Sequence, residues 1–83
     1  MTFDLIEKFV ENDKRKGQNV KIHFKTRSTI CGRFIETTDY RDLKLKNFWR
    51  IVPESRMAEW EKTKDQSLSR MFNGGEFTRL SDE

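Results

Sequence analysis

Phe3, Ile6 and Val10, with Leu5 and Phe9 beside them, recur every three or four positions, the spacing that lays one apolar stripe along an α-helix. Thr2 stands at the N-cap position, and Asp4 and Glu7 lie near the positive end of the helix dipole. Lys14, Arg15 and Lys16 precede Gly17 at the stop. The pattern predicts a helix over residues 2–15 whose stripe needs a surface to lie on. At Val20 the period changes to two. Val20, Ile22 and Phe24 alternate with Lys21, His23 and Lys25, and after a polar turn at Thr26 to Ser28, Ile30, Gly32 and Phe34 alternate with Cys31, Arg33 and Ile35. This is a hairpin with one buried face. If both apolar sets share that face, paired residue numbers must sum to an even value, because a slip of one turns every side chain over. Gly32 then falls on the inner face, where a missing side chain permits a sharp bend.

Residues 37–42 read as a polar loop. Leu43, Leu45 and the run Phe48 to Val52 read as a third strand that ends at Pro53. Residues 53–65 fit either a short helix around Met57, Trp60 and Glu61 or an ordered loop. Leu68, Arg70 and Phe72 then alternate up to Asn73-Gly74, with Phe77 and Leu80 beyond, which reads as a second hairpin. The expectation is one mainly β, α+β domain over residues 1–83: a helix at 2–15 and strands near 19–25, 29–37, 42–52, 67–72 and 76–80, forming a strongly bent barrel over 19–80.

Composition narrows this picture. Of the 83 residues, 34% are hydrophobic and 37% charged, with seven Phe, two Trp and one Tyr, so the core is built from few, large rings. A chain this short buries only roughly 60% of the surface it exposes when unfolded. Cys31 and His23 are the sole residues of their types, too few for an internal disulfide or a structural zinc site, which makes self-association the expected staple. A lone thiol suits a reducing cytoplasm. No basic n-region, long apolar stretch or membrane-spanning run is present, so the expected protein is soluble, cytoplasmic and without a membrane partner.

Net charge is +3, yet Lys14 to Ile35 holds seven basic residues and no acid, leaving 3 − 7 = −4 for the remainder. Lys14, Arg15, Lys16, Lys21, Lys25, Arg27 and Arg33 are therefore candidates for contacting the phosphates of a polyanion; the competing reading is an ordinary solvated face.

The segments Val20-x-Ile22-x-Phe24, Gly32-x-Phe34 and the loop closing on Tyr40 before Leu43-x-Leu45, followed later by Asn73-Gly74 and Phe77, resemble the two motifs of the Sm-like (Lsm and Hfq-like) small β-barrel family. The spacing from Gly32 to Tyr40 is similar to that of the bacterial and archaeal members. The resemblance covers about two-thirds of the chain. It implies an N-terminal helix before a five-stranded SH3-like barrel, a homo-oligomeric assembly and single-stranded RNA as partner, with a base stacked on Tyr40 and its edge met by Asn73. The family's loop Asp falls on Thr38, its base-contacting Asn on Asp42, and its cationic last-turn residue on Asn73.

His23 and Cys31 are the one pair with nucleophilic chemistry, and a turn at 26–28 would set them opposite each other. They lack an orienting third group and a pocket. The acids of the segment 59–65 interleave with lysines as a solvated surface. No enzyme, metal or cofactor is expected. The alternative to RNA binding is a protein-interaction or structural module with an SH3-like barrel that uses Trp49 and Trp60 to hold a partner chain.

Overall fold

The computed structural model describes residues 1–12 and 17–82, so the expected phosphate contacts Lys14, Arg15 and Lys16, and the end of the predicted helix, lie outside the described residues. Helix α1 is Phe3–Val10, and its last backbone bond runs from Glu11 N–H to the Glu7 carbonyl at 2.9 Å. Ile6 is its buried anchor, with Phe9 and Val10 packed beside it, whereas Phe3 and Leu5 are exposed.

Strands β1 (Val20–Phe24) and β2 (Ile30–Phe34) pair antiparallel with Val20 opposite Gly32 and Ile22 opposite Ile30. Paired numbers sum to 52, an even value, so the two apolar sets share the inner face as the period of two requires. The turn bends at 25–27, one position earlier than predicted. Cys31 therefore faces Lys21, and His23 reaches Thr29 instead, with Nδ1 and Oγ1 3.3 Å apart. Gly32 is buried against the segment that carries Ile51 and Val52: a Cβ there would lie 2.7 Å from both Ile51 Cγ2 and the Val52 carbonyl oxygen.

The predicted start of the third strand is helical instead. Helix α2 spans Tyr40–Leu45, with Leu43 N–H donating to the Asp39 carbonyl at 3.0 Å, and Asn47 at φ 62° reverses the chain into β3 (Phe48–Pro53). The Leu43 and Leu45 alternation misleads because Leu45 is 70% exposed and supports no buried face. The ambiguous stretch resolves into a 3-10 turn at Glu54–Arg56 and helix α3 (Met57–Thr63), which ends on Lys64 at φ 54°.

Strand β4 (Arg70–Asn73) pairs with β3, and β5 (Phe77–Asp82) pairs with β1, giving one antiparallel sheet in the order β4-β3-β2-β1-β5. The predicted second hairpin is absent: β4 and β5 form the two opposite edges, and the expected barrel does not close by hydrogen bonding. A two-residue hairpin turn of the favoured type needs positive φ at both central residues. Neither Asn73, at φ −85°, nor Gly74 has it. Asn73 instead accepts the Gly75 N–H on its side chain at 2.8 Å, and Gly74 packs so closely under Asn47 and Ile6 that no side chain fits. The link 73–76 thus carries the chain from one edge of the sheet to the other.

Aromatic packing curls the sheet. Two strands separate β1 from β4, and strands spaced by about 4.8 Å would set them roughly 14 Å apart in a flat sheet. The Phe24 and Phe72 rings are nevertheless 5.7 Å apart, and Phe77 meets Phe24 and Phe34 edge-on at 5.3 and 6.4 Å. The core of Ile6, Val20, Ile22, Trp49, Ile51, Phe72, Phe77 and Leu80 fills the concave side. On the other side α3 lies against β3, while the outer face of β1 and β5 carries Lys21, His23, Arg79 and Ser81.

Candidate nucleic-acid interface

Charge pairing sorts the cations. Arg33, on the outer face of β2, donates to Glu61 of α3 at 2.6 Å and to Asn19 at 3.3 Å, and that guanidinium holds the Glu61 carboxyl below its usual range. Lys44 is held between Glu7 and Glu11 of α1 at 2.6 and 3.1 Å, which raises its pKa. Arg50 forms a two-point contact with Asp39 at 2.9 and 3.3 Å. By contrast Lys21, Lys25, Arg27 and Arg79 form no ion pair within 4 Å among the described residues. All four lie on β1, its turn into β2, or β5, with Arg79 opposite His23 in the register. Lys21 and Arg79 flank His23 on the outer face, whereas Lys25 and Arg27 stand in the turn, with Arg27 over rings of the inner face.

Arg79 Nη2 lies 3.3 Å from His23 Nε2, and guanidinium groups only donate. His23 Nε2 therefore acts as acceptor in that contact, which fits the Ser81 hydroxyl, also 3.3 Å away, donating to the same nitrogen.

Tyr40 occupies a different environment from the exposed loop aromatic that the family resemblance implies. Its hydroxyl donates to Glu11 Oε2 at 2.7 Å, its ring meets Trp49 edge-on at 6.0 Å, and the Lys44 ammonium stands 5.2 Å from the ring centre. Burial, then the Glu11 carboxylate, pushes the phenol pKa well above its ordinary value. Tyr40 thereby ties α2 to α1, and it lines a cavity of about 310 Å³ together with Val10, Val20, Phe34 and Glu36.

A second cavity, about 430 Å³, opens where the β1–β2 turn approaches β4. Phe24, Thr26, Arg27, Met71, Phe72, Asn73 and Glu76 line it. Arg27 sits over two of its rings, 5.1 Å from the Phe24 centroid and 5.6 Å from that of Phe72. The structure thus brings Arg27 and Asn73 together, with Lys25 in the same turn, and sets Tyr40 on the other cavity. Sequence reasoning missed Phe24, Phe72, Glu76 and Arg79. The two rings read as core positions in the alternating pattern, and Arg79 lies far outside the basic run.

The Trp residues are not an exposed pair. Trp49 is 1% exposed and its Nε1 donates to Asn47 at 2.8 Å, whereas Trp60 on α3 is partly covered by Lys64, 5.4 Å from its ring. No group of three or more metal-ligating side chains occurs among the described residues, and no described helix is long and apolar enough to cross a membrane. Comparison of the chain with family models, curated proteins and solved structures returns no match.

The Asp39 pair gives a pH signature. The hydrogen bond from Arg50, then that from Thr37, holds the Asp39 carboxyl at about 2. A depressed carboxylate contributes stability that is complete above its unfolded value near 3.8 and lost as the pH falls through about 2. The difference in urea midpoint between the natural chain and Asp39→Asn is therefore expected to be widest above about pH 5 and to close toward pH 2. A difference that stays constant with pH would count against the pair.

Proposed function

We propose that this chain is a single-stranded nucleic-acid-binding module, RNA being the preferred partner, built on an Sm-like variant of the small SH3-like barrel. The observation that carries the reading is a cation held over an aromatic-floored cavity: Arg27 lies over Phe24 and Phe72 in the space they line with Asn73, Lys25 stands in the same turn, and Lys21 and Arg79 lie on the outer face of the adjoining strands without an ion pair among the described residues. Single strands are bound by a positive track for the backbone and by π-faces or guanidinium planes on which bases stack. Arg27, carried on two Phe rings, is already oriented for stacking, so little freedom is lost when a base arrives. Tyr40 stays outside this set, because its hydroxyl and ring are engaged within the fold. Arg33 does too, since releasing it from Glu61 would oppose binding.

The sheet order supports a homo-oligomer as part of the reading. Strands β4 and β5 are both edges, and an unpaired edge is a template for another strand. Cys31, the lone thiol, suits a cytoplasmic setting.

The test is fluorescence anisotropy of a short labelled mixed-sequence RNA, with the mass in solution recorded. Neutralising three to four phosphates lowers affinity roughly 20- to 50-fold between about 50 and 200 mM salt for a single strand. Arg27→Ala is expected to weaken binding about tenfold, through lost stacking and one lost phosphate contact, and to make it less salt-sensitive. Absent or salt-independent binding would remove the proposal. A mass of one chain under binding conditions would remove its oligomeric part.

A further inference from the structure

The cavity at the β1–β2 turn offers three kinds of contact at once. Arg27 over Phe24 and Phe72 is a stacking surface. Asn73 commits Oδ1 to the Gly75 N–H at 2.8 Å, so the part of its amide left for a ligand is the Nδ2 donor. Glu76 lines the same cavity, is exposed, and has no ion-pair partner within 4 Å among the described residues. Its carboxylate only accepts.

We propose that this cavity is a base pocket selective for guanine, an inference that rests on the nucleic-acid-binding reading and specifies its ligand. A carboxylate beside an amide donor complements a base edge that carries two adjacent donors and one acceptor. Guanine has that edge: N1–H and the N2 amino group point at the carboxylate together, and O6 accepts from the amide. Cytosine and adenine each offer one amino group next to a ring acceptor that the carboxylate repels. Uracil offers one N–H flanked by two carbonyl oxygens. The negative charge of Glu76 also keeps phosphate out of the cavity and on the neighbouring cations, so the base end enters. A volume of about 430 Å³ lies within the range of small-ligand sites.

The test compares unstructured U-rich RNAs that carry one guanosine, adenosine, cytidine or inosine at a central position, each titrated with the natural chain and with Glu76→Gln. Guanosine is expected to bind about tenfold tighter than adenosine or cytidine, the discrimination typical of a two-point base contact. Inosine, which lacks the N2 amino group, should fall between. Glu76→Gln should erase the guanosine preference, any gain in affinity from the lost negative charge being shared equally by all the RNAs, and the exposed position of Glu76 predicts an unchanged melting temperature. As a probe that needs no polymer, guanosine monophosphate should shift the NMR signals of Phe24, Arg27 and Asn73 more strongly than adenosine monophosphate does. Equal affinity for all bases, or a guanosine preference that survives in Glu76→Gln, would overturn the pocket while the nucleic-acid reading stands. Failure to bind any RNA would overturn both.

Discussion

Gly32→Ala is expected to lower the melting temperature by roughly 12–24 °C, equivalent to about 3 kcal/mol in a domain of this size. The added Cβ would sit 2.7 Å from the Val52 carbonyl oxygen and from Ile51 Cγ2. A side chain can rotate away, but the carbonyl belongs to the β3 backbone, which pairs with β2 at this point: Gly32 faces Pro53 and Arg33 faces Val52. Relief therefore requires the two strands to separate at this point. A domain of about 80 residues has on the order of 4–12 kcal/mol in all, so the variant is left close to the threshold of folding. The check is thermal and urea unfolding followed by far-UV circular dichroism. Gly17→Ala is the contrast, since nothing lies within 4 Å of a Cβ there and only the φ of 74° opposes it. A left-handed residue without Cβ crowding costs roughly 1–2 kcal/mol. Equal losses at the two glycines would mean that strand contact is not what excludes a side chain at position 32.

Trp49→Ala should be the most destabilising truncation in the core, by about 3–5 kcal/mol. The ring is fully enclosed, with Phe34 at 5.8 Å and Tyr40 at 6.0 Å, both edge-on. Its Nε1–H satisfies Asn47 Oδ1, and Asn47 in turn donates Nδ2 to the Met1 carbonyl at 2.9 Å and accepts the Gly74 N–H on its own carbonyl at 2.7 Å. The indole thus supports the left-handed residue at which the end of α2, the N-terminal segment and the β4–β5 link meet. Trp49→Phe separates the two contributions: it keeps most of the apolar ring and orphans the Asn47 oxygen, so a loss of about 1–3 kcal/mol is expected. The measurement is urea unfolding by circular dichroism, with Trp60 left to report on α3. A loss below about 1 kcal/mol for Trp49→Ala would contradict its place in the core.

These two positions differ in how much of their role the sequence reveals. Gly32 interrupts a period-two apolar pattern, so its inward direction follows from parity alone, and the structure keeps that parity although the register is shifted by two. Trp49 follows from its flanking apolar run as a strand residue, but nothing local marks Asn47 as its partner. The candidate interface divides in the same way. Lys21, Lys25 and Arg27 stand out as cations of a run free of acids, and Asn73 through the family resemblance. Glu76 and Arg79 carry no such mark. They join the site because Lys25 N–H donates to the Glu76 carbonyl at 3.0 Å and Arg79 lies across from His23, contacts that span more than 50 residues of chain.

The alternation of apolar and polar positions was sufficient by itself to determine the presence of an N-terminal helix, the β1–β2 hairpin with its shared inner face, and the core direction of Phe24, Gly32 and Phe72, because periodicity is a property of neighbouring residues. The tertiary structure alone decided three things. It made residues 40–45 a helix, placed the Asn73-Gly74 step on a crossing between sheet edges instead of a hairpin, and chose which cations stay unpaired. Each depends on a partner distant in sequence. Arg33 loses its availability to Glu61, Tyr40 and Lys44 are held by Glu11, and β4 and β5 are claimed by β3 and β1 before they can claim each other. Side-chain charge and hydrogen-bonding capacity are written in the sequence, but their spending is settled only when the chain brings the competing partners within reach.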